Sequence, residues 1–235
     1  MRRRAALALA CGFAATVPAG AADALADLPA PPAGTLRVYL VRHGQALSNL
    51  EPTPALPEEQ LDHLTELGTR QSDAAGRALA SRGEASVLSS PASRARETAE
   101  VVSRGVGARP VAVDARLQPL VLGQAADGRK LEWKERIAEW RAGKDPSPPG
   151  GESMERVGER VSELVRELLA GRKGASAVVL VAHSEVIGAY LGRVRGTPPP
   201  QRYPPGIGNG SISVVDVSAA GLEAVALANY VPTMP

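Results

Sequence analysis

Leu36 to Val41 is a short, nearly continuous apolar run that stops at Arg42-His43-Gly44. That is the pattern of a buried strand ending in a loop. Similar runs occur at Val87-Leu88, at Val111 to Val113 and at Val178 to Ala182. Between them the period changes. Leu64, Leu67, Gln71, Ala74, Ala75, Ala78 and Leu79 keep the spacing of one helical face, and so do Met154, Val157, Val161, Leu164, Val165, Leu168 and Leu169. Ser90 is expected to cap a helix with Pro91 at its first position, and Ser153 to cap the long helix after Gly150-Gly151. Leu131 to Arg141 reads as a further helix, with Trp133 and Trp140 on one face. Strands alternating with helices predict an α/β fold whose sheet is mostly parallel and covered on both sides. Ser211 to Val217 and Leu222 to Leu227, separated by Ser218 to Gly221, predict an antiparallel pair at its edge. The prolines of 146–149 and 198–205 read as stiff loops.

With 235 residues, 44% of them hydrophobic, the chain has material for one core and too little for two ordinary domains. Its start reads differently from the rest. Arg2, Arg3 and Arg4 precede an Ala/Leu-rich stretch from Ala5 to Val17, and small residues follow at Gly20, Ala21 and Ala22. This is the layout of a secretory signal peptide; the apolar run is shorter than the roughly 20 residues of a spanning helix. The expected division is therefore a removable signal over residues 1–22, an extended Ala/Pro-rich lead over 23–34 with order beginning after it, and one domain over 35–235. The protein is expected to be exported, to a periplasm or the extracellular space. Ala8-Leu9-Ala10-Cys11 faintly resembles a lipoprotein cleavage site, which makes lipidation the less favoured alternative. Removing residues 1–22 takes away three arginines and no acid, so the formal charge of +2 becomes −1. The basic balance of the full chain is thus no sign of a nucleic-acid partner. Cys11 is the only cysteine, so the mature chain would hold no disulfide.

Ligands of open α/β sheets bind beyond the carboxyl ends of the strands, which makes the polar residues just past each strand the candidates. The first strand delivers Arg42 and His43, the second leads to Arg94, and the strand ending at Ala182 delivers His183. Two guanidiniums and two imidazoles in one crevice point to a phosphate monoester, because guanidinium forks pair with phosphoryl oxygens. A neutral imidazole can then attack phosphorus, and the second can hold the transferring group. This chemistry needs neither metal nor cofactor. A lone histidine at a strand end is more often a structural hydrogen bonder; the combination carries the functional reading. His63, near a helix start, keeps the structural one.

Arg42-His43-Gly44-Gln45 through Asn49 is similar to the signature of the phosphoglycerate mutase-like branch of the histidine phosphatase superfamily. Further matches fall in that family's order: Leu64-Thr65-Glu66-Leu67-Gly68 with Gln71; Ser89-Ser90-Pro91 with Arg94, Ala95 and Thr98; Gly150-Gly151-Glu152-Ser153 with Arg160-Val161; His183-Ser184; and Asn209-Gly210-Ser211. The resemblance implies a three-layer α/β/α domain and a phosphatase acting on a small-molecule phosphomonoester, with His43 becoming a phosphohistidine that water hydrolyses. It further implies a phosphate pocket of Arg42, Arg94 and His183, helped by Asn49. Glu152 is similar to the family's Gly-Glu-Ser glutamate and reads equally as a structural residue at a helix start.

The sequence departs from the family at the proton donor. Where the branch carries a glutamate in a segment resembling Arg-Leu-x-Glu, this chain has Arg116-Leu117-Gln118-Pro119, and neither Gln118 nor Pro119 can protonate a leaving alkoxide. Glu185 is the candidate replacement, because His183-Ser184-Glu185 resembles the His-Ala-Glu motif of certain inositol polyphosphate phosphatases of the other branch. An ordinary first-turn glutamate is its plain alternative. Asp127 is a less favoured donor. Trp133 and Trp140 either pack their helix onto the domain or form a lid over the leaving group, with Arg129 or Lys130 nearby. A catalytically weakened phospho-ligand-binding member, or a phosphoprotein phosphatase, is the alternative function. A mutase fits an exported chain less well than a phosphatase does.

Overall fold

A computed structural model of the protein describes residues 24–82, 85–108, 110–171, 176–203 and 206–234. The expected signal peptide, with Cys11, lies outside the described residues. The runs identified above form strands: β1 (Leu36–Arg42), β2 (Ala85–Ser89), β3 (Ala112–Val113), β4 (Ser176–Ala182), β5 (Ile212–Val217) and β6 (Glu223–Tyr230). Among the described residues six α-helices accompany them: α1 (Glu58–Leu61), α2 (Glu66–Leu79), α3 (Ser93–Gly105), α4 (Trp133–Arg141), α5 (Met154–Ala170) and α6 (Ser184–Val194).

The six strands make one sheet in the order β3-β2-β4-β1-β5-β6. β3, β2, β4 and β1 run parallel, while β5 runs antiparallel to β1 and β6 antiparallel to β5. The expected antiparallel edge is present. Alternation along β1 divides the core between two faces. Leu36, Val38 and Leu40 pack with Val161 and Leu164 of α5 and Ile187 of α6. Tyr39 and Val41 face the other way, toward Ala75 and Leu79 of α2 and Ala99 and Val102 of α3. Helices on both faces give the three-layer α/β/α fold.

Two local expectations need revision. Order begins before residue 35: Leu25 is buried in the core beside Tyr39, and Arg37 donates to the Pro29 carbonyl at 2.8 Å, so the described part of the 23–34 lead packs on the domain. Ser90 does not cap α3. The helix starts at Ser93, and the carboxylate of Asp62, from a different part of the chain, accepts the Ser93 N–H at 2.7 Å. Ser90 is thereby free to bond elsewhere. Ser153 does cap α5, accepting from the Arg156 N–H at 3.1 Å.

Candidate active site

β1 and β4 are neighbours in register, Arg42 opposite Ala182, so the residues that follow them leave the sheet side by side. The His43 N–H donates to the Ala182 carbonyl at 3.0 Å, and the rings of His43 and His183 lie 5.1 Å apart. The loop after β1 is pressed onto the start of α2. A Cβ at Gly44 would stand 2.2 Å from the Gly68 carbonyl oxygen, and one at Gly68 would stand 2.0 Å from that of Gln45. Only two glycines allow this approach. Gly44 N–H also donates to the Thr98 hydroxyl at 3.1 Å, and Gln45 N–H to the Gln71 side chain at 2.8 Å.

Nδ1 of His43 lies 2.7 Å from the Gly44 carbonyl, an acceptor only, so Nδ1 carries the proton and Nε2 the lone pair. Arg94 spans the two rings, its Nε 3.2 Å from His43 Nε2 and its Nη2 3.2 Å from His183 Nδ1. A guanidinium only donates, so His183 Nδ1 accepts and its Nε2–H donates to the Ser90 hydroxyl at 2.8 Å. Asp62 pairs with the remaining Arg94 nitrogen. Asp62 and Ser90 thus fix the positions of Arg94 and His183, and neither role is visible in sequence: Asp62 has no motif around it, and Ser90 carries an obvious capping signal.

Burial, then Arg94 and Arg42, hold the His43 imidazole at about 3, below its ordinary 6.5, with the Gly44 carbonyl opposing them. His183 is lowered as well, by burial first and then by its cationic surroundings. Both rings are therefore neutral at neutral pH. Arg42, on the other side of the site, donates from Nη1 to the Ile207 carbonyl at 2.6 Å, while its Nε is buried without a protein partner.

These groups line a cavity of about 1080 Å³. Arg42, His43, Asn49, Arg94, His183 and Glu185 are all brought together there. Asn49 is engaged within the loop, its Oδ1 accepting from Ala46 N–H at 3.0 Å and from Asn209 Nδ2 at 3.2 Å. Asn209 also donates to the His43 carbonyl at 3.1 Å. Glu185 is nearly buried in the first turn of α6. Its carboxylate accepts from Ser184 Oγ at 3.1 Å and lies 3.4 Å from the Leu120 N–H, against the segment in which Pro119 lines the same cavity.

Asp127 is not brought to the cavity; it accepts from Arg129 N–H in an exposed turn. Arg129 pairs with Glu135, and Lys130 does not line the site. Glu152 is structural in its contacts. It pairs with Arg160 at 2.8 Å, and Arg160 in turn holds the Gln118 carbonyl at 2.9 Å, so the pair clamps the 116–121 segment. The two tryptophans differ in their surroundings. Trp140 is buried and packs against Tyr203 at 4.8 Å, whereas Trp133 lines the cavity with its ring stacked 6.0 Å from that of Tyr203. His63 lies outside the cavity, paired with Glu97. Among the described residues, no three His, Cys, Asp or Glu side chains are grouped as a metal ion would need.

Comparison with known proteins gives the same picture from another direction. The sequence profile of the histidine phosphatase superfamily, branch 1, matches residues 38–230. A glucosyl-3-phosphoglycerate phosphatase of Mycolicibacterium vanbaalenii is 34% identical over 180 residues, covering 69% of this chain and 75% of the relative. A probable phosphoglycerate mutase, GpmB, of Salmonella paratyphi C is 30% identical over 168 residues, covering 69% and 76%. Among solved structures, mycobacterial glucosyl-3-phosphoglycerate phosphatase Rv2419c in complex with VO3 is similar with a TM-score of 0.66 at 30% identity, covering 83% of this chain and 99% of that one. Bacillus stearothermophilus YhfR is similar with a TM-score of 0.66 at 25% identity, covering 83% and 98%.

Proposed function

Because the chain belongs to the histidine phosphatase superfamily, branch 1, and is a phosphatase of phosphomonoesters, we propose that His43 is its nucleophile and Glu185 its proton donor. The observation that carries this reading is the Gly44 carbonyl on His43 Nδ1, which leaves the Nε2 lone pair beside Arg94 in the cavity. In the first half-reaction Nε2 attacks phosphorus and the bond to the leaving oxygen breaks. The protonated Glu185 carboxyl gives its proton to that oxygen, and the alcohol departs. In the second, the Glu185 carboxylate takes a proton from water, the oxygen attacks phosphorus, and the N–P bond breaks to give inorganic phosphate and neutral His43. Arg42 and Arg94 bear the equatorial oxygens, where charge accumulates. His183 accepts from Arg94 at Nδ1 and so holds that guanidinium in place for the transferring group.

Phosphate release from a panel of monoesters, without added metal, tests this directly. His43→Ala should abolish turnover, and rapid quenching of the wild type in alkali should trap phosphate on the protein. Turnover surviving the substitution overturns the assignment. Pro119 in the cavity favours a second reading, a binding protein without turnover; tight phosphate binding with no release from any ester would establish it.

The Arg-rich start, the apolar run and the small residues after it support export, with residues 1–22 removed. No helix among the described residues is long and apolar enough to cross a membrane. A mature mass in the native host that still includes residues 1–22 would refute the proposal.

A further inference from the structure

Beyond the phosphoryl groups, the cavity has two unlike walls. One is the 51–62 segment, where Glu51, Glu58 and Glu59 line the opening. All three are exposed and none has an ion-pair partner among the described residues. The other wall is apolar, formed by Leu122 and the stacked rings of Trp133 and Tyr203. The only basic side chains among the described lining residues are Arg42 and Arg94, and both belong to the phosphoryl end. Arg94 is moreover paired with Asp62. Among the described lining residues no further basic side chain is left to meet a charge on the leaving group, and Arg141, which acts on Tyr203, does not line the cavity.

We infer that this enzyme selects phosphomonoesters whose alcohol part carries no negative charge and presents an apolar or cationic face, and discriminates against alcohols bearing a carboxylate or a second phosphate. An anionic leaving group in this cavity meets three glutamates without an ion-pair partner among the described residues, and the low-dielectric aromatic side chains that share the lining screen their repulsion less than water does. An uncharged or cationic alcohol meets no such penalty. Its apolar face can lie on Trp133 and Tyr203, where an ammonium is attracted by the ring faces as well. Glu51, Glu58 and Glu59 act on the choice of substrate and not on the bond-breaking step. The inference rests on the phosphatase reading above.

Two matched pairs test it, each differing by one carboxylate: glycerol 3-phosphate against 3-phosphoglycerate, and phosphoethanolamine against O-phosphoserine. At low ionic strength, kcat/KM for the carboxylate-free member of each pair should be higher by about tenfold or more. The ratio should shrink when salt is added to the wild type, and shrink at low salt in the triple variant Glu51→Gln, Glu58→Gln, Glu59→Gln. The salt series needs no variant, so a folding defect cannot decide the result. Equal or reversed turnover within the pairs, with p-nitrophenyl phosphate still hydrolysed, overturns the preference alone. A ratio that neither salt nor the triple variant changes removes the glutamates as its cause and overturns the inference. No phosphate from any ester, p-nitrophenyl phosphate included, overturns the phosphatase reading and this one with it.

Discussion

Lowering the pH from 7 to 5 should destabilise the fold through His43 alone by about 2 kcal/mol. Burial and Arg94 hold its imidazole at about 3 against an ordinary 6.5. The folded value lies below the unfolded one, so between them the unfolded chain binds more protons. Stability attributable to the neutral ring is complete above the unfolded value and is lost as the pH falls through the window from 6.5 toward 3. At pH 5 the unfolded imidazole is almost fully protonated and the folded one hardly at all. Relative to pH 7 that difference integrates to about 1.4 pH units, and at about 1.36 kcal/mol per unit to about 2 kcal/mol. Urea unfolding of the wild type and of His43→Gln at both pH values isolates the contribution, since carboxylates titrate alike in the two proteins. The wild type should lose about 2 kcal/mol more than the variant. Equal losses in the two proteins would refute the claim that the ring is buried neutral, and with it the account of why Nε2 is a nucleophile at neutral pH.

Three further substitutions probe the same geometry. Glu185→Gln should slow hydrolysis of alkyl phosphates by about 10²-fold or more and that of p-nitrophenyl phosphate far less, because nitrophenolate leaves without a proton; equal slowing of both would remove Glu185 as donor. Arg94→Lys keeps the charge but loses the fork that reaches His43, His183 and Asp62 together, and kcat/KM should fall by about 10²-fold to 10³-fold, whereas a point charge serving as well would leave it near the wild-type value. Gly44→Ala forces a Cβ to within 2.2 Å of the Gly68 carbonyl oxygen, so urea unfolding should show a loss of about 1–3 kcal/mol, and unchanged stability would mean that the loop and α2 are not held in contact.

Much of this protein follows from local regularities. The apolar run of β1 and the helical spacing of α2 and α5 are properties of consecutive residues, and burial of one face of each leaves few arrangements besides a covered sheet. Arg42, His43, Arg94 and His183 were legible for the same reason, since each follows a strand whose end can be located from its neighbours. The proposed proton donor was only half legible. Pro119 excludes itself by its chemistry, but that Glu185 lies against the Pro119-Leu120 backbone depends on how α6 packs beside a segment 65 residues away.

The capping of α3 depended on tertiary structure altogether. Ser90 next to Pro91 carries every local mark of a helix start, yet its hydroxyl bonds His183, and Asp62 takes over the capping while fixing Arg94. A buried imidazole nitrogen without a partner costs more than a cap supplied from elsewhere, so the long-range bond wins. The unlike lining of the cavity has the same origin. No motif in the sequence singles out Glu51, Glu58 and Glu59, and Trp133 reads there either as packing or as part of a lid. Charge and hydrophobicity are written residue by residue in the chain, but which of them face one ligand is set by packing between elements distant in sequence.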